Sequence, residues 1–249
     1  MDNIFKDKTS EGFDGERDVL GGGGTVETDI YDGIIKLAFS KKSASSDAQG
    51  VEYHIELTMP SGSTFTFRET QWVTNRSGEH TYPDKTDPKK KHLLPGYQII
   101  DSLCLMSTGL PLSDQEMAEK TVNLYDFEQK KELPKSVPVL IDLIGKPIAV
   151  AVIKQTVDQT TKDSNNVYQP NGKTRDQNVA FKFFHQESKR TTAEVKAGIE
   201  KPIFYDKWKT QNQGKSRNLA KGAEGNTGAP TSKSSAAPDS KPRTSLFNS

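Results

Sequence analysis

Residues 51–59, Val-Glu-Tyr-His-Ile-Glu-Leu-Thr-Met, decide the predicted fold, because apolar and polar side chains alternate along them without a break. Successive side chains of a β-strand point to opposite faces, so this pattern indicates a strand with one buried face. Residues 60–63, Pro-Ser-Gly-Ser, are typical of a turn, and residues 64–74 resume the strand pattern. We therefore predict a β-hairpin whose second strand carries Phe65 and Phe67 on one face and Thr66, Arg68, Thr70 and Trp72 on the other.

Further strands and a helix are predicted on both sides of this hairpin. Residues 30–40 are rich in β-branched and apolar side chains and predict the strand that precedes it. Residues 98–108 have apolar side chains at helical spacing, and Gly109 is placed to end a helix. Ser113 and Glu116 have the spacing of a capping box, which predicts a second short helix over 113–120. Downstream, strands are predicted at 122–127, 147–157 and 179–186, an apolar run covers 137–144, and polar loops are predicted at 75–95 and 158–177.

The strand starting at Pro147 is expected to be buried on both faces, since Ile148, Val150 and Val152 alternate with Ala149, Ala151 and Ile153. A three-strand meander, a helix and two closing strands form the ground plan of an OB-fold, whose open face binds oligonucleotides. We therefore predict a mainly β fold, an OB-fold-like five-stranded barrel with a helical insert, over residues 26–190.

The two ends of the chain differ from this domain in composition. Residues 1–25 include four consecutive glycines and predict a flexible N-terminal arm. Residues 191–209 are interpreted as a connecting segment. Residues 210–249 consist mostly of Gly, Ser, Ala, Pro, Asn, Lys and Thr, which predicts a disordered C-terminal tail.

Charge is distributed unevenly although the whole chain has a net charge of only +1. Residues 207–249 contain eight Lys and Arg residues against Glu224 and Asp239, a net charge of +6 that leaves −5 on residues 1–206. A basic arm on a mildly acidic body indicates a polyanionic partner for the arm.

Catalytic and metal chemistry find little support in the sequence. Cys104 is the only cysteine and lies in an apolar run, which indicates a buried structural thiol. The four histidines have no pair at metal-ligand spacing, and the sequence has no Gly-x-Ser-x-Gly nucleophile motif. Asp126 and Glu128 are the only candidates for a metal-dependent nuclease. We expect no enzyme, cofactor or metal, and we expect a cytoplasmic protein because no signal peptide or membrane span is evident.

Cations and aromatic side chains are interleaved around the mouth of the predicted barrel, and sequence-independent single-strand binders use this combination to hold phosphates and stack bases. The candidate nucleic-acid-binding residues are Arg68, Trp72, Arg76, Tyr82, Lys89, Lys90, Lys91, Arg175, Lys182 and Phe184. Other aromatic residues of the strands, Phe65, Phe67, Phe181 and Phe183, are expected in the core. A register shift of one residue would bury Trp72 instead, and the lysine triplet is equally consistent with a solvated loop.

Several peptide-length stretches share their pattern with one group of proteins. They are Arg-Glu-Thr-Gln-Trp-Val-Thr-Asn-Arg at 68–76, Tyr-Pro-Asp-Lys at 82–85 and Asp-Pro-Lys-Lys-Lys-His at 87–92, with shorter sequences around 109, 137–140, 145–146, 174–175 and 179 onward. Over residues 8–190 the chain thereby resembles the single-stranded DNA-binding proteins of lytic podoviruses that carry a virion RNA polymerase. The resemblance implies a phage protein of the host cell cytoplasm that coats single-stranded DNA in replication and recombination. It also implies a role in activating late transcription through the C-terminal end.

The end of the tail departs from the acidic tip of many single-strand binders. It is basic, yet it closes with Ser-Leu-Phe-Asn-Ser at 245–249. Leu246 and Phe247 are a large apolar pair in a polar stretch, which predicts a docking peptide for a protein partner such as the host RNA polymerase or phage replication proteins. Alternative functions are a transcription-regulating adaptor that acts mainly by protein contact, and a metal-dependent nuclease.

Overall fold

The structure is a computed structural model that describes residues 24–87, 89–126, 129–164 and 168–221. Its strands are β1 (Asp29–Lys42), β2 (Gln49–Thr58), β3 (Thr64–Trp72), β4 (Thr81–Pro83), β5 (Lys91–Leu93), β6 (Met117–Asp126), β7 (Lys131–Leu140), β8 (Pro147–Lys162), β9 (Tyr168–Phe184) and β10 (Arg217–Asn218). Its helices are α1 (Pro95–Thr108), α2 (Thr192–Lys196) and α3 (Ile203–Asn212), with short 3-10 turns at Leu112–Asp114 and Ile141–Leu143. Most of the predicted N-terminal arm and the tail from residue 222 lie outside the described residues.

The fold is mainly β, as predicted, with β1 at the centre of its largest sheet. Antiparallel pairing runs from β9 through β8, β1 and β2 to β3, and the β6–β7 hairpin joins β1 where Phe39 lies opposite Val139. No ladder joins β3 to β9 within the described ranges. The carboxylate of Glu69 bridges these two strands by accepting the Ala180 backbone N–H at 2.9 Å. A side-chain contact therefore connects these two strands at this point.

Because of a bulge, β1 contributes side chains to two different surfaces of the sheet. Its register with β2 shifts between Ile35 and Leu37, and such an extra residue bends a strand and increases its twist. Before the bulge Ile30 packs against α3, and after it Phe39 lines an open groove. Tyr31, Ile35 and Ala38 all face the main core.

The main core lies between the curled sheet and α1. It contains the inward side chains of the β2–β3 hairpin, the apolar face of α1 and one face of β8, with Tyr53, Ile55, Leu57, Phe67, Ile100, Leu103, Ile148, Val150 and Val152 among its members. The other face of β8, formed by Ala149, Ala151 and Ile153, packs against Phe184 and Trp208 in a second cluster. The predicted burial of β8 on both faces is confirmed.

The helix predicted at 98–108 is confirmed and begins slightly earlier, at Pro95. It ends at Gly109, which has a left-handed φ of 79° and whose N–H bonds to the Leu105 carbonyl. Cys104 is buried on this helix, and burial raises the pKa of its thiol to about 12, with a smaller contribution from Asp101. The thiol is therefore protonated and structural, as expected from its apolar neighbours.

The short helix predicted at 113–120 is wrong. Only a 3-10 turn forms at Leu112–Asp114, and the chain then enters β6. The backbone N–H of Glu116, the predicted box partner, bonds to the Asp142 carboxylate at 2.7 Å. Residues 117–126 pair with 131–140 along their whole length, and these interstrand hydrogen bonds override the local capping signal.

The polar loop predicted at 158–177 is also wrong over most of its length. β8 and β9 continue as a long two-stranded hairpin to Lys162 and Tyr168. Both faces of this extension are largely exposed, so its side chains show no apolar period that would predict strands. Likewise, the predicted loop at 75–95 contains the small β4–β5 hairpin.

The chain remains structured beyond the predicted disorder boundary at Thr210. Helix α3 runs to Asn212, and the parallel strand β10 follows it along β8. Backbone bonds from Gly214 to Thr28 and from Leu219 to Thr156, each 2.8 Å, hold this segment in place. The apolar content of the segment did not predict this structure, because the segment is held by the buried Trp208 and by backbone hydrogen bonds.

Candidate nucleic-acid interface

An open groove lies between the outer face of β1–β2–β3, which is turned away from the main core, and the β6–β7 hairpin. Its volume is about 880 Å³. The sheet wall is formed by Phe39, Ser40, Lys41, Lys42, Glu52, His54, Arg68, Glu69 and Thr70, and the hairpin wall by Asn123, Leu124, Tyr125, Asp126, Lys135 and Val137. The groove therefore combines cations, hydroxyl groups and exposed aromatic surface.

The strand register fixes the order of side chains on this outer face, along which Trp72 follows the groove-lining residues Arg68 and Thr70. His54 pairs with Arg68, Glu52 pairs with Thr70, and Gly50 pairs with Trp72. Arg68, Thr70 and Trp72 lie on the outer face, as predicted from their spacing of two residues, while Phe67 on the opposite face is buried. Trp72 is 43% exposed, which confirms its position outside the core.

Glycine at position 50 supports the indole of Trp72. A Cβ at this position would lie 3.1 Å from Cε3 of Trp72, so any larger residue would press on the ring. The missing side chain allows the indole to pack closely on the β2 backbone and leaves part of its surface open to solvent. An aromatic ring held in this way can stack on a nucleobase at little further cost in conformational entropy.

Glu52 contacts two basic side chains in the groove. Its carboxylate contacts His54 Nε2 at 3.0 Å and Lys41 Nζ at 3.1 Å, and it accepts the Thr70 hydroxyl at 3.3 Å. The hydrogen bond to His54, followed by the bond to Lys41, lowers the pKa of Glu52 to about 2 against the opposing effect of burial. Glu52 thus occupies the place at which a phosphate would find the same donors.

Glu69, at the edge of the groove, connects β3 with β9. Oε2 accepts the Tyr53 hydroxyl at 2.6 Å together with the Ala180 N–H, and Oε1 accepts Gln71 Nε2 at 2.8 Å. Burial raises the pKa of Glu69, and these hydrogen bonds oppose that increase. Its three donors lie on β2, β3 and β9, so the side chain positions the sheet wall rather than offering a contact to ligand.

The hairpin wall places an aromatic ring and a cation opposite the sheet. Tyr125 is 45% exposed, and Lys135 Nζ contacts Asp126 Oδ2 at 3.0 Å. The sequence did not indicate these residues as binding candidates, because the groove forms only when the hairpin meets β1 at Phe39. The only sequence signal for this wall was that Leu124 and Tyr125 are neighbouring large side chains in a predicted strand.

Candidates in the loops after β3 lie beyond the Trp72 end of the sheet wall. Arg76 is exposed in a turn next to the β1–β2 connection. Its backbone carbonyl accepts the Asp47 N–H at 3.2 Å. The β4–β5 hairpin follows and exposes Tyr82, whose ring centroid is 5.5 Å from that of His92. Lys89, Lys90 and Lys91 are exposed on the same hairpin, where Lys90 lies 3.9 Å from Asp87.

The β9 candidates lie apart from the groove, and Phe184 is wrong as a base-stacking residue. It is fully buried in the second cluster, with its ring 5.4 Å from that of Tyr205. Lys182 is half-buried on the same strand, and Arg175 is exposed on the β8–β9 hairpin. Phe184 is buried because α3 covers its face of β9, and the register shift opposite Ala151 and Val152 places Phe181 on the same side, against Trp208. Of the predicted core residues, Phe183 is buried whereas Phe181 is 39% exposed.

The remaining predictions about sites fall on few described residues. The docking residues Leu246 and Phe247 and the nuclease candidate Glu128 lie outside the described part of the chain. Asp126, the other nuclease candidate, is paired with Lys135.

Over the described ranges, no helix is both long enough and apolar enough to cross a membrane. No protein-family model matches this chain, and no curated protein matches it significantly.

Proposed function

We propose that this protein binds single-stranded DNA without sequence preference and without catalysing a reaction. The observation that carries the proposal is the groove between the outer face of β1–β2–β3 and the β6–β7 hairpin, with Arg68 on one wall and Tyr125 and Lys135 on the other. Cations along a groove hold a phosphate backbone, and aromatic rings along the same path stack on the bases.

Unpaired bases fit this surface better than a duplex does. Trp72 and Tyr125 offer partly exposed rings, and only a base outside a duplex stack presents its face to such a ring. Duplex readers commonly place a helix or a two-stranded ribbon in the major groove. The groove walls instead form a concave surface in which a flexible strand can lie.

Lack of sequence preference follows from the same contacts. Stacking tolerates every base, and phosphate contacts carry no direct sequence information. The resemblance to podovirus single-strand binders supports a setting in phage DNA replication and recombination, in the cytoplasm of the host cell. It also supports a transcriptional role for the tip at Leu246 and Phe247. We propose these settings, together with the OB-fold-like closure of the sheet, on that resemblance and on the strand order.

Removing Arg68 tests the phosphate contacts of the groove. We expect Arg68→Ala to weaken binding to every single-stranded sequence alike and to reduce the slope of log K against log salt by about 0.7, the value for one phosphate contact. Lys146→Ala is the matched control, because Lys146 is exposed in the turn before β8 and does not line the groove. An unchanged affinity and slope for Arg68→Ala, measured by fluorescence anisotropy, would contradict the proposed path of the strand.

Neutralising Glu52 is expected to strengthen DNA binding. Glu52→Gln removes the negative charge that pairs with Lys41 and contacts His54, so the Lys41 ammonium becomes available to phosphate. The gain is expected to be about twofold to fivefold, as for a partly exposed ion pair of up to about 1 kcal/mol, with a salt slope steeper by about 0.7. Because the pKa of Glu52 is about 2, mild acid leaves its charge in place and only the substitution removes it.

Glu56→Gln is the control for this variant. Glu56 lies on the same strand, pairs with Lys36 at 2.9 Å and does not line the groove. Its replacement is expected to leave the affinity for a single-stranded oligonucleotide unchanged. Weaker binding by Glu52→Gln, with an intact fold, would mean that Glu52 orders the groove rather than competing with phosphate.

A further inference from the structure

A basic segment covers the outer surface of β8 at the other end of β1 from the groove. We call residues 207–221 the basic strap. It contains five cations and no acidic residue, namely Lys207, Lys209, Lys215, Arg217 and Lys221. Five of the eight cations in residues 207–249 therefore lie in the part of the chain that the structure describes.

The strap is attached to the sheet at several points, so its cations are held on the surface of the domain. Trp208 is buried in the second cluster, and Arg217 and Asn218 pair with Gln155 and Thr156 of β8. The backbone N–H of Lys221 bonds to the Asp158 carboxylate at 2.9 Å. The side chains of Lys207, Lys215, Arg217 and Lys221 are exposed.

Arg217 and Phe181 form the centre of this surface. The guanidinium carbon lies 5.5 Å from the centroid of the Phe181 ring, within the range of a cation–π contact. Phe181 is 39% exposed and is supported from beneath by Trp208, whose ring centroid is 5.8 Å away. A guanidinium placed against an exposed ring offers hydrogen bonds to phosphate beside a stacking surface for a base.

One acidic residue, Asp29, lies against the α3 part of the strap. Asp29 pairs with Lys209 at 3.6 Å and accepts Gln213 Nε2 at 2.8 Å. The side chains of Lys215 and Arg217 are exposed. The positive charge around Arg217 and Lys215 therefore faces solvent.

The strap and the groove are separate surfaces that lie near opposite ends of β1. Ile30 lies beneath α3 and Phe39 lines the groove, and these two residues are nine positions apart on β1. At about 3.3 Å per residue, the two surfaces are separated by at most about 30 Å along the strand. A short oligonucleotide can occupy one surface, whereas a longer strand can reach both.

We propose that the basic strap together with Phe181 is a second contact surface for single-stranded DNA, which engages a strand long enough to leave the groove. The observations that carry it are the five cations without an acid, their attachment to β8 and the Arg217–Phe181 contact. That the ligand is single-stranded DNA rests on the proposed function of the groove. The position of the second surface follows from the contacts of the strap alone.

The test compares a short oligonucleotide of about 6 nucleotides, within the range that one OB-type domain holds, with one of about 30 nucleotides. The variant is Lys215→Gln with Arg217→Gln, which keeps the side-chain stems. We expect unchanged affinity for the short strand, roughly tenfold weaker binding of the long strand at low salt, and a salt slope smaller by about 1.4 for two lost phosphate contacts. Lys146→Gln with Lys196→Gln is the control, because both lysines are exposed and lie outside the strap.

Two outcomes would overturn the proposal. Unchanged binding of the long strand would assign the strap to another partner, such as an acidic protein surface. An equal loss for the short and the long strand would make the strap part of one continuous site. Thermal unfolding of the variant checks its fold, and Lys207→Gln with Lys221→Gln repeats the comparison at side chains that make no ring contact. Failure of the groove itself is distinguishable, because Arg68→Ala would then leave both oligonucleotides bound as before.

Discussion

Trp72→Ala is expected to weaken the binding of single-stranded DNA by about 1–3 kcal/mol, which corresponds to roughly 5-fold to 150-fold in affinity. The expectation follows from the position of the indole, which packs on the backbone at Gly50 and is 43% exposed beside Thr70 and Arg68. Loss of the ring removes a stacking surface and leaves the phosphate contacts in place. The salt slope should therefore change little while the affinity falls.

Two further variants give this measurement its controls. Trp72→Phe keeps an aromatic ring and should retain part of the affinity. Trp208→Phe alters a tryptophan of α3 that is buried in the second cluster and should leave binding of a short strand unchanged. Unchanged affinity in Trp72→Ala, with the fold intact, would remove Trp72 from the binding site.

Gly96→Ala is expected to destabilise the protein by about 1–3 kcal/mol, the usual range for overpacking. A Cβ at Gly96 would lie 2.2 Å from the carbonyl oxygen of Trp72 and 2.9 Å from its carbonyl carbon, so α1 and β3 must separate. Helix propensity alone favours alanine over glycine by about 1 kcal/mol, so the sign of the change shows which effect dominates. The displacement of β3 should also weaken DNA binding.

Chemical denaturation of the variant measures this change directly, with the midpoint and slope interpreted together. Gly24→Ala is the control, because a Cβ there meets no atom within 4 Å and it should be nearly neutral. A Gly96→Ala protein that is more stable than the parent would show that the close approach of α1 to β3 is not a constraint on the fold.

The elements that the sequence predicted are those with one apolar face. Alternation over residues 51–59 predicted β2, helical spacing and Gly109 predicted α1, and paired apolar sets predicted the double burial of β8. The elements it missed depend on backbone pairing between polar segments. The β8–β9 extension and β10 are stabilised by interstrand hydrogen bonds, and their exposed side chains carry no periodic signal.

The candidate site shows the same division. Spacing along β3 correctly placed Arg68 and Trp72 on one exposed face. The same reasoning failed for Phe184, because α3 covers the face opposite Phe183 on which Phe184 lies, and a period within β9 does not reveal that cover. Glu52 and Lys135 entered the site only through contacts between strands distant in sequence, which a period within one segment does not reveal.

The most direct test of a single-strand-binding groove is the fluorescence of Trp72 during titration with DNA. Trp208→Phe leaves Trp72 as the only tryptophan, and the loss of the Trp208 indole N–H is tolerable because that buried group has no hydrogen-bond partner among the described residues. We expect single-stranded oligonucleotides of any base composition to quench Trp72, with an affinity that falls steeply as salt rises, and duplex DNA to quench it far less. An unquenched Trp72, or equal quenching by duplex and single-stranded DNA, would contradict the proposed function.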